Sequence, residues 1–316
     1  MPIVLKTGRL NTQGVALIVV LWMLALLSVI AGSLVFTTRT ELVIAGNVVS
    51  MAQAEAAADA GVYKAISELL SPRPNDPLSW KANSLVHPWE FGGARLAVMI
   101  ADEGGKVDLN SADPQLLKSL FVSRGVDESA AESLVDALAD WRDPDTLRRL
   151  HGAEKEDYLA AGLRYGPANT NLTAIEELRQ VLGMSDSLYL MLAPLVTVFS
   201  GQAGINPASA ARDVLLALPG ASPFVVDQYL SDRQAAAEQG LPPPIFPLAV
   251  PYLAGGISPT VTVQATAVMG DNMYFCREAV IRLTSDRSTP YTVAAWRAPT
   301  GPVPSMLAAP VTALNQ

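Results

Sequence analysis

The sequence predicts an α+β fold in which a long N-terminal helix packs on an antiparallel sheet, with a large all-α domain inserted into the sheet. Three patterns support this prediction: a proline-free apolar and alanine-rich stretch over residues 15–71, β-branched runs on both sides of residues 110–240, and helical periodicity within that interval. Because so much helix separates the two groups of strands, the simplest arrangement is one small α/β domain interrupted by a helical one.

The N-terminal helix is predicted from an unbroken apolar run that begins at Val15 and ends at Val35. Such a run is about long enough to cross a bilayer core, which takes roughly 20 apolar residues. The pattern stays helical to Leu70, and alanine is frequent in this second part. The alternative is an anchor with a short juxtamembrane helix. The long alanine-rich stalk favours a subunit that sits in lipid and then packs side by side in a filament.

A short basic leader precedes the apolar run and ends at Gly14. It carries Lys6 and Arg9, and the first acid of the chain is Glu41. This charge distribution predicts a single-pass protein with a cytoplasmic N-terminus. The bulk of the chain would then lie outside the inner membrane, in the periplasm if the cell is Gram-negative. The competing interpretation is a secretory signal peptide cut near Ala31, although its apolar region would be unusually long.

Strands are predicted on both sides of the helical interval. After a connector rich in Pro, Asn and Asp at residues 72–88, residues 94–101 and 106–109 indicate a hairpin joined by a Gly-rich turn. Beyond a Pro-rich linker, three β-branched runs predict an antiparallel meander. These runs are residues 261–268, 273–284 and 291–297.

The helical interval contains three similar segments, at residues 108–120, 169–183 and 204–220. Each places Asn ahead of a small polar residue and then a helix with Leu and Val at spacings of three and four. The side chains of Asn and Ser can accept hydrogen bonds from the free N–H groups of a helix start. The first and third segments continue into a second helix, so the layout predicts helical hairpins of the helix-hairpin-helix or SAM type.

These patterns divide the chain into six segments. They are a leader (1–14), a membrane and stalk helix (15–71), the first part of the α/β domain (72–109), the helical insertion (110–240), the second part of the α/β domain (241–298) and a flexible tail (299–316).

Composition excludes several functions. The net charge is −8, with 22 basic residues against 30 acidic ones, which argues against a surface for nucleic acid. The remaining DNA hypothesis is a membrane-anchored helix-hairpin-helix protein of the competence type. Its candidate segment, residues 204–233, contains Arg212 and Arg233 against three aspartates. The histidines are His87 and His151, and no nucleophile elbow, zinc-protease motif or P-loop is present. An enzyme is therefore not expected.

One acidic segment has the composition of a cation site. The acids Asp140, Asp143, Asp145, Glu154 and Asp157 fall within a short stretch, and Ca²⁺ takes six to eight oxygen ligands from flexible loops. The spacing is not that of an EF-hand. The alternative is a solvated acidic loop whose charges are neutralised in surface pairs by Arg148, Arg149 and Lys155.

Taken together, these motifs resemble the minor pseudopilin K family of bacterial type II secretion systems. The resemblance covers nearly the whole chain. It is carried by GVALIVVLWMLALLSVIAG, AEAAADAGVYKA, DEGGKVDLN, DWRD followed by GAEKEDYL, ELRQVLGM, and INPASA followed by LLALPG.

The resemblance implies a pilin-like α/β domain with a helical insertion. It implies removal of the leader after Gly14 by prepilin peptidase and methylation of the new amine of Val15. It also implies a tip complex with pseudopilins I and J that initiates the periplasmic pseudopilus, with pseudopilin H and the major pseudopilin as further partners. Calcium is the cofactor that the family suggests, and by position its ligands would be the five acids named above. The basic tract TLRRLHG departs from the family pattern at that place.

The fifth residue after Gly14 is Val19, whereas most prepilin-like proteins have Glu there. In a filament, that carboxylate can pair with the N-terminal amine of the neighbour above it, and an unpaired charge in an apolar core is costly. The first subunit of a filament has no such neighbour. The missing acid therefore indicates a subunit at the tip.

Overall fold

The computed structural model describes residues 13–73, 76, 79–248, 251–270 and 273–299. The chain forms two units, the first ending at Gln53 and the second beginning at Ala54. The predicted basic leader with Lys6 and Arg9, and the predicted tail beyond residue 299, lie outside the described residues.

The N-terminal helix α1 spans Gln13–Leu70 and confirms the predicted long helix. In the first unit its large apolar side chains are exposed, from Leu17 through Phe36. By length and composition the helix can cross a membrane, because its most apolar window of 18 residues has a mean hydropathy of 2.6 and none of that window is buried. An apolar surface of this kind is stable in lipid and not in water.

Five strands form the antiparallel sheet, and a two-stranded parallel ladder lies apart from it. Along the described chain the strands are β1 (Val86–Phe91), β2 (Ala94–Asp102), β3 (Val107–Asp108), β4 (Val196–Thr197), β5 (Thr260–Met269), β6 (Met273–Leu283) and β7 (Tyr291–Arg297). The sheet has the order β1-β2-β5-β6-β7. Because β2 pairs directly with β5, the predicted interruption of one sheet by a helical domain is confirmed, as is the predicted meander.

The second part of α1 packs on this sheet through small side chains. The buried cluster combines helix residues such as Ala57, Ala58 and Ala65 with strand residues such as Ala265. A Cβ atom added at Gly61 would lie 3.0 Å from the Cβ of Ala265, closer than ordinary packing. Glycine at this position therefore lets the helix backbone approach the sheet.

A charged contact also ties α1 to the sheet. Arg277 of β6 is buried and donates from Nε to Asp59 at 2.6 Å and from Nη2 to Glu55 at 2.7 Å, both on α1. Its guanidinium also lies over the rings of Phe275 and Trp296. Two carboxylates and two aromatic rings thus compensate a charge that would otherwise be costly to bury.

The helical domain lies between β2 and β5. Its α-helices within the described residues are α2 (Pro114–Ser123), α3 (Glu128–Arg142), α4 (Lys155–Ala160), α5 (Asp186–Leu192), α6 (Arg212–Leu216) and α7 (Pro223–Glu238). The first predicted hairpin corresponds to α2 and α3, each capped by an aspartate side chain, Asp113 and Asp127. The third corresponds to α6 and α7, with α6 shorter than expected.

Two predictions about local structure are wrong, and two strands, β1 and β4, were not predicted. Residues 106–109 do not form a hairpin with 94–101, because a 3₁₀ turn at Glu103–Gly105 redirects the chain and β3 pairs in parallel with β4. The segment 169–183 holds only a 3₁₀ helix at Ile175–Gln180. The connector predicted at 72–88 ends within β1, an edge strand that tolerates Pro88.

The entry and exit of the helical domain are joined by buried polar groups. The carboxylate of Asp102 accepts from the backbone N–H of Ser258 at 3.0 Å and from Nδ2 of Asn206 at 2.9 Å. Next to it, the buried Glu103 accepts from Thr262 at 2.5 Å and from Lys106 at 2.7 Å. Burial alone would raise the pKa of Glu103, but Lys106 and the threonine hydroxyls outweigh burial, so that the pKa lies below its ordinary value.

Candidate functional sites

The leader junction lies at the start of α1. The predicted cleavage position between Gly14 and Val15 falls within the helix, and the helix continues without a break past Ala31, where the alternative signal peptide would be cut. Val19 is half exposed on an apolar face that it shares with neighbours such as Ile18 and Trp22. From Ala16 to Thr38 the helix carries no charged side chain, as the tip hypothesis requires.

The acidic loop begins at the end of α3. Asp140 is completely buried and accepts from the backbone N–H of Arg149, at 3.2 Å to Oδ2 and 3.4 Å to Oδ1. The chain passes so close above this carboxylate that a Cβ atom added at Gly152 would lie 1.9 Å from Asp140 Oδ2. Only glycine fits there, and the loop consequently folds back onto the last turn of α3.

Glu154 brings a second buried carboxylate to the same place. Its residue is 5% exposed, and its Oε1 has no hydrogen-bond partner among the described residues. Burial raises the pKa of Glu154, and the negative charges of Asp140, Asp143 and Asp145 raise it further. Such a group costs free energy when ionised unless a cation compensates it.

Asp143 completes the group. Burial also raises the pKa of Asp143, with a further contribution from Asp145, while Arg149 lowers it. Its Oδ1 is buried and unpartnered in the described part of the chain. Burial likewise raises the pKa of Asp140. Asp140, Asp143 and Glu154 therefore form one electrostatic cluster, which we call the acidic cluster.

The other two predicted ligands, Asp145 and Asp157, form hydrogen bonds with groups other than the carboxylates of the acidic cluster. Asp145 accepts from the backbone N–H of Leu147 at 2.8 Å. Asp157 accepts from the N–H of Glu154 at 2.9 Å and pairs with Arg148 at 2.9 Å. The backbone hydrogen bond, more than the ion pair, holds the pKa of Asp157 below its ordinary value. These contacts assign Asp157 to the cap of α4 and to the loop.

The acidic cluster fits a hard cation in its chemistry but is not closed around one. Its candidate ligand atoms are all carboxylate oxygens, which are the ligands that Ca²⁺ prefers. Two of these oxygens have no hydrogen-bond partner among the described residues. Across the described ranges, however, no three His, Cys, Asp or Glu side chains are gathered tightly enough to hold a metal ion. Binding would require the carboxylates to turn towards one another.

Arg149 pairs with two of these acids, in agreement with the alternative in which nearby basic residues neutralise them. Its guanidinium lies beside Asp140 and Asp143, but Asp140 is completely buried, so this pair is not an ordinary surface pair. The available signal was the position of two arginines between the two acidic stretches.

The helix-hairpin segment gives the DNA hypothesis no support. Arg212 forms a bidentate pair with Asp227 at 2.6 and 3.0 Å. Arg233 donates to the backbone carbonyls of Pro207 and Ala210, both at 2.8 Å. Both guanidinium groups thus make contacts within the domain that contact with a phosphate would have to replace.

The long apolar helix, the antiparallel sheet and the inserted helical domain define a pilin-like α+β protein. Residues 92–201 match the family model described as type II secretion system (T2SS), protein K. One chain of the crystal structure of the GspK-GspI-GspJ complex from the enterotoxigenic Escherichia coli type 2 secretion system superposes with a TM-score of 0.60 at 20% identity. The match covers 79% of this chain and 96% of that one, and it shows the shared fold.

Curated relatives carry the same name, type II secretion system protein K. The protein of Pseudomonas aeruginosa is 28% identical over 69% of this chain and 73% of its own length. That of Aeromonas hydrophila is 30% identical over 58% and 62%, and that of Dickeya chrysanthemi is 32% identical over 37% and 30%. The match thus spans less than two thirds of the length of the Aeromonas and Dickeya proteins. The resemblance to the protein K family is confirmed by the family model and by these relatives.

Proposed function

We propose that this chain is a minor pseudopilin of a type II secretion system, without catalytic activity, that initiates or caps the periplasmic pseudopilus and so serves the export of folded proteins. It is anchored by α1 in the inner membrane, with its N-terminus in the cytoplasm and its second unit in the periplasm. Its proposed partners in the tip complex are minor pseudopilins I and J, followed by pseudopilin H and the major pseudopilin.

The observation that carries this proposal is the uncharged face around Val19 at the start of an apolar helix in a pilin-like protein. A subunit within the filament has a neighbour above it whose amine can pair with an acid at this position. The topmost subunit has none, so an acid there would remain unpaired in an apolar setting. The helical domain adds bulk that a plain pilin-like subunit lacks.

Prepilin peptidase is the enzyme that this proposal assigns to the leader. Cleavage after Gly14 and methylation of the Val15 amine are expected when the full chain is expressed with the peptidase. Intact-mass measurement and N-terminal sequencing test this directly, since the mature chain should begin at Val15. A chain beginning near Gly32 would instead identify a secretory signal peptide and contradict the pseudopilin proposal.

The role of Val19 is tested with Val19→Glu. Cleavage of the leader should be unchanged, since the variant restores the residue that most prepilin-like substrates carry. Loss of the mass shift in this variant, with normal cleavage of a Val20→Leu control, would contradict our interpretation of the junction. Co-purification of the full chain with pseudopilins I and J from detergent extracts tests the tip complex separately.

Calcium is the cation that we propose for the acidic cluster. Asp140, Asp143 and Glu154 would supply its carboxylate ligands, with Asp145 next to them and Asp157 at the base of the loop. A bound cation would neutralise the buried charges and tie the loop to α3. Support comes from the unpartnered Oε1 of Glu154, because an ionised carboxylate this deeply buried requires compensation.

A further inference from the structure

His87 lies on edge strand β1, where its imidazole stacks on the indole of Trp80. The two ring centroids are 4.9 Å apart, and the ring planes differ by 12°. Trp80 belongs to the connector before β1 and packs against the core between α1 and the sheet. The stack therefore ties β1 to a side chain of that core.

The imidazole of His87 is poorly placed to accept a proton. Its Nε2 atom is buried and has no hydrogen-bond partner among the described residues. Burial lowers the pKa of His87 below its ordinary value, and the negative charge of Glu68 only partly offsets this effect. The ring is consequently neutral for the most part at pH 7, since the ordinary pKa of histidine is about 6.5.

Glu68 of α1 is already paired with two cations. Its Oε1 accepts from Nζ of Lys64 at 2.7 Å, and its Oε2 accepts from Nη2 of Arg73 at 2.6 Å. The hydrogen bond from Lys64 is the main reason that the pKa of Glu68 lies below its ordinary value. Both oxygens of this carboxylate are therefore engaged before His87 gains a proton.

Lys64 also places a positive charge beside Trp80. Its Nζ lies 5.8 Å from the centroid of the indole ring on which His87 stacks. One cation beside an aromatic ring is favourable, but a second cation on the same ring is repelled by the first. An imidazolium at this place would meet that repulsion.

The other elements around His87 supply charges that face different partners. Across the ladder from His87 stands Val98, which is completely buried. Further along the same two strands, Glu90 stands opposite Arg95. On the connector, Lys81 is exposed, and Asp76 lies 3.5 Å from Arg73.

We propose that His87 is a pH-dependent contact that holds the edge of the sheet: the neutral imidazole keeps β1 and residues 79–85 packed against the core, and protonation releases them. The position of β1 suits this role, because β1 pairs with β2 alone and its release leaves the other four strands of the sheet paired. Acidification then uncovers the edge of β2, and an open edge is a place where a further strand can add.

The direction of the effect follows from proton linkage. The released strand takes up a proton at the ordinary pKa of histidine, whereas in the packed strand the pKa of His87 is lowered. The neutral form therefore stabilises the packed strand above about pH 6.5, and this contribution is lost as the pH falls below that value.

The first test measures the titration of His87 by NMR on the full chain in detergent micelles, with labelled histidine. His87 and His151 are the two histidines of the chain, and the variant His151→Gln assigns their signals. His87 should titrate below the ordinary value for histidine. A titration at or above that value would overturn the proposal.

Hydrogen exchange followed by mass spectrometry tests the release itself. After correction for the intrinsic effect of pH, peptides that cover residues 79–91 should exchange about threefold faster, or more, at pH 5.5 than at pH 7.5. Peptides from β5 should show no such change. Unchanged exchange of residues 79–91 in the wild type would contradict the release.

The matched variants are His87→Phe and His151→Phe. The first keeps a ring that can stack on Trp80 but cannot be protonated, so its exchange should be the same at both pH values. The second alters the exposed histidine of the loop before α4 and should respond to acid as the wild type does. An acid response of His87→Phe equal to that of the wild type would overturn the proposal.

Lys64→Gln tests the electrostatic basis of the release. This variant frees Oε1 of Glu68 and removes the cation beside Trp80, so the folded strand should tolerate an imidazolium better and the acid response should be smaller. A purely structural role of Lys64 would instead raise exchange equally at both pH values and leave the acid response undiminished. That outcome would overturn the electrostatic explanation.

Discussion

The two hydrophobic cores of the second unit are built from different residues. Where α1 packs on the sheet, the buried side chains are largely Ala and Val, and the closest approach is at Gly61. The helical domain is filled instead by large side chains, among them Phe121, Leu138, Trp141 and Tyr158. The first core depends on how closely two backbones approach, and the second depends on how much volume its side chains fill.

This difference predicts opposite sensitivities to mutation. Truncating a side chain should lower the free energy of unfolding most in the helical core, because it removes a large side chain and leaves a large cavity. The short helices of this domain also depend on tertiary contacts for their stability. Enlarging a side chain should lower the free energy of unfolding most in the helix–sheet core, because the two backbones are too close to accommodate extra atoms. Three predictions test this contrast, from the largest expected effect to the smallest.

The largest effect is expected for Phe121→Ala in α2. Phe121 is fully buried, and such a truncation costs about 3–5 kcal/mol of unfolding free energy. The matched control is Val122→Ala on the same helix, which is 38% exposed and should cost under about 0.5 kcal/mol. Fluorescence of Trp141 reports on this core, because the other four tryptophans lie outside residues 103–258. Equal costs for the two variants would contradict the contrast.

A smaller effect is expected for Gly61→Val in α1. The new side chain would meet Ala265, Leu96 and Val98 at 3.0–3.2 Å, and overpacking of this kind costs about 1–3 kcal/mol. The control is Gly46→Ala on the same helix, where no atom lies within 4 Å of the added Cβ and helix propensity favours alanine by about 1 kcal/mol. Urea unfolding followed by circular dichroism measures both. If Gly61→Val were neutral, the close-approach argument would fail.

The smallest effect concerns the polar junction between the cores. The folded-state pKa of Glu103 lies below its ordinary value. Its ionised form therefore stabilises the fold above the ordinary carboxyl pKa, and that contribution is lost as the pH falls through the lowered value. Glu103→Gln should remove this dependence, with a difference in unfolding temperature of about 2–4 °C between pH 7 and acid. Glu90→Gln, on edge strand β1, should retain the wild-type profile in the same thermal scans.

Elements that depend on contacts between residues close in the sequence could be predicted, and those that depend on distant contacts could not. The meander was predictable, since alternation along β5 and short turns encode it locally. The pairing of β3 with β4 was not, because Val107 meets Val196 across a long stretch of sequence. The segment at 169–183 carries a helix-start signal, but the carboxylate of Glu177 accepts from Thr173, and only a 3₁₀ helix follows.

The same limit applies to the candidate sites. The acids of the loop are visible as a cluster in the sequence. In the structure Asp140 and Asp143 share Arg149 as a partner, and their charges help to raise the pKa of Glu154. The sequence predicts that Arg149 can neutralise these acids, but it does not indicate that Asp140 is buried or that Asp157 caps a helix. The burial of Asp140 depends on the close approach of the loop at Gly152 to its carboxylate, whereas the Asp157 cap is a local contact with the N–H of Glu154.

The adjacency of Asp102 and Ser258 has an evolutionary consequence. The chain leaves the sheet and returns to it at neighbouring positions, where Asp102 is paired in register with Val261. The whole helical domain therefore occupies the place of a simple reverse turn between two adjacent antiparallel strands. A lineage could acquire such a module, enlarge it or discard it without altering a single strand pairing. The specialised part of the subunit is thus free to change at a pace different from that of the part that packs on α1.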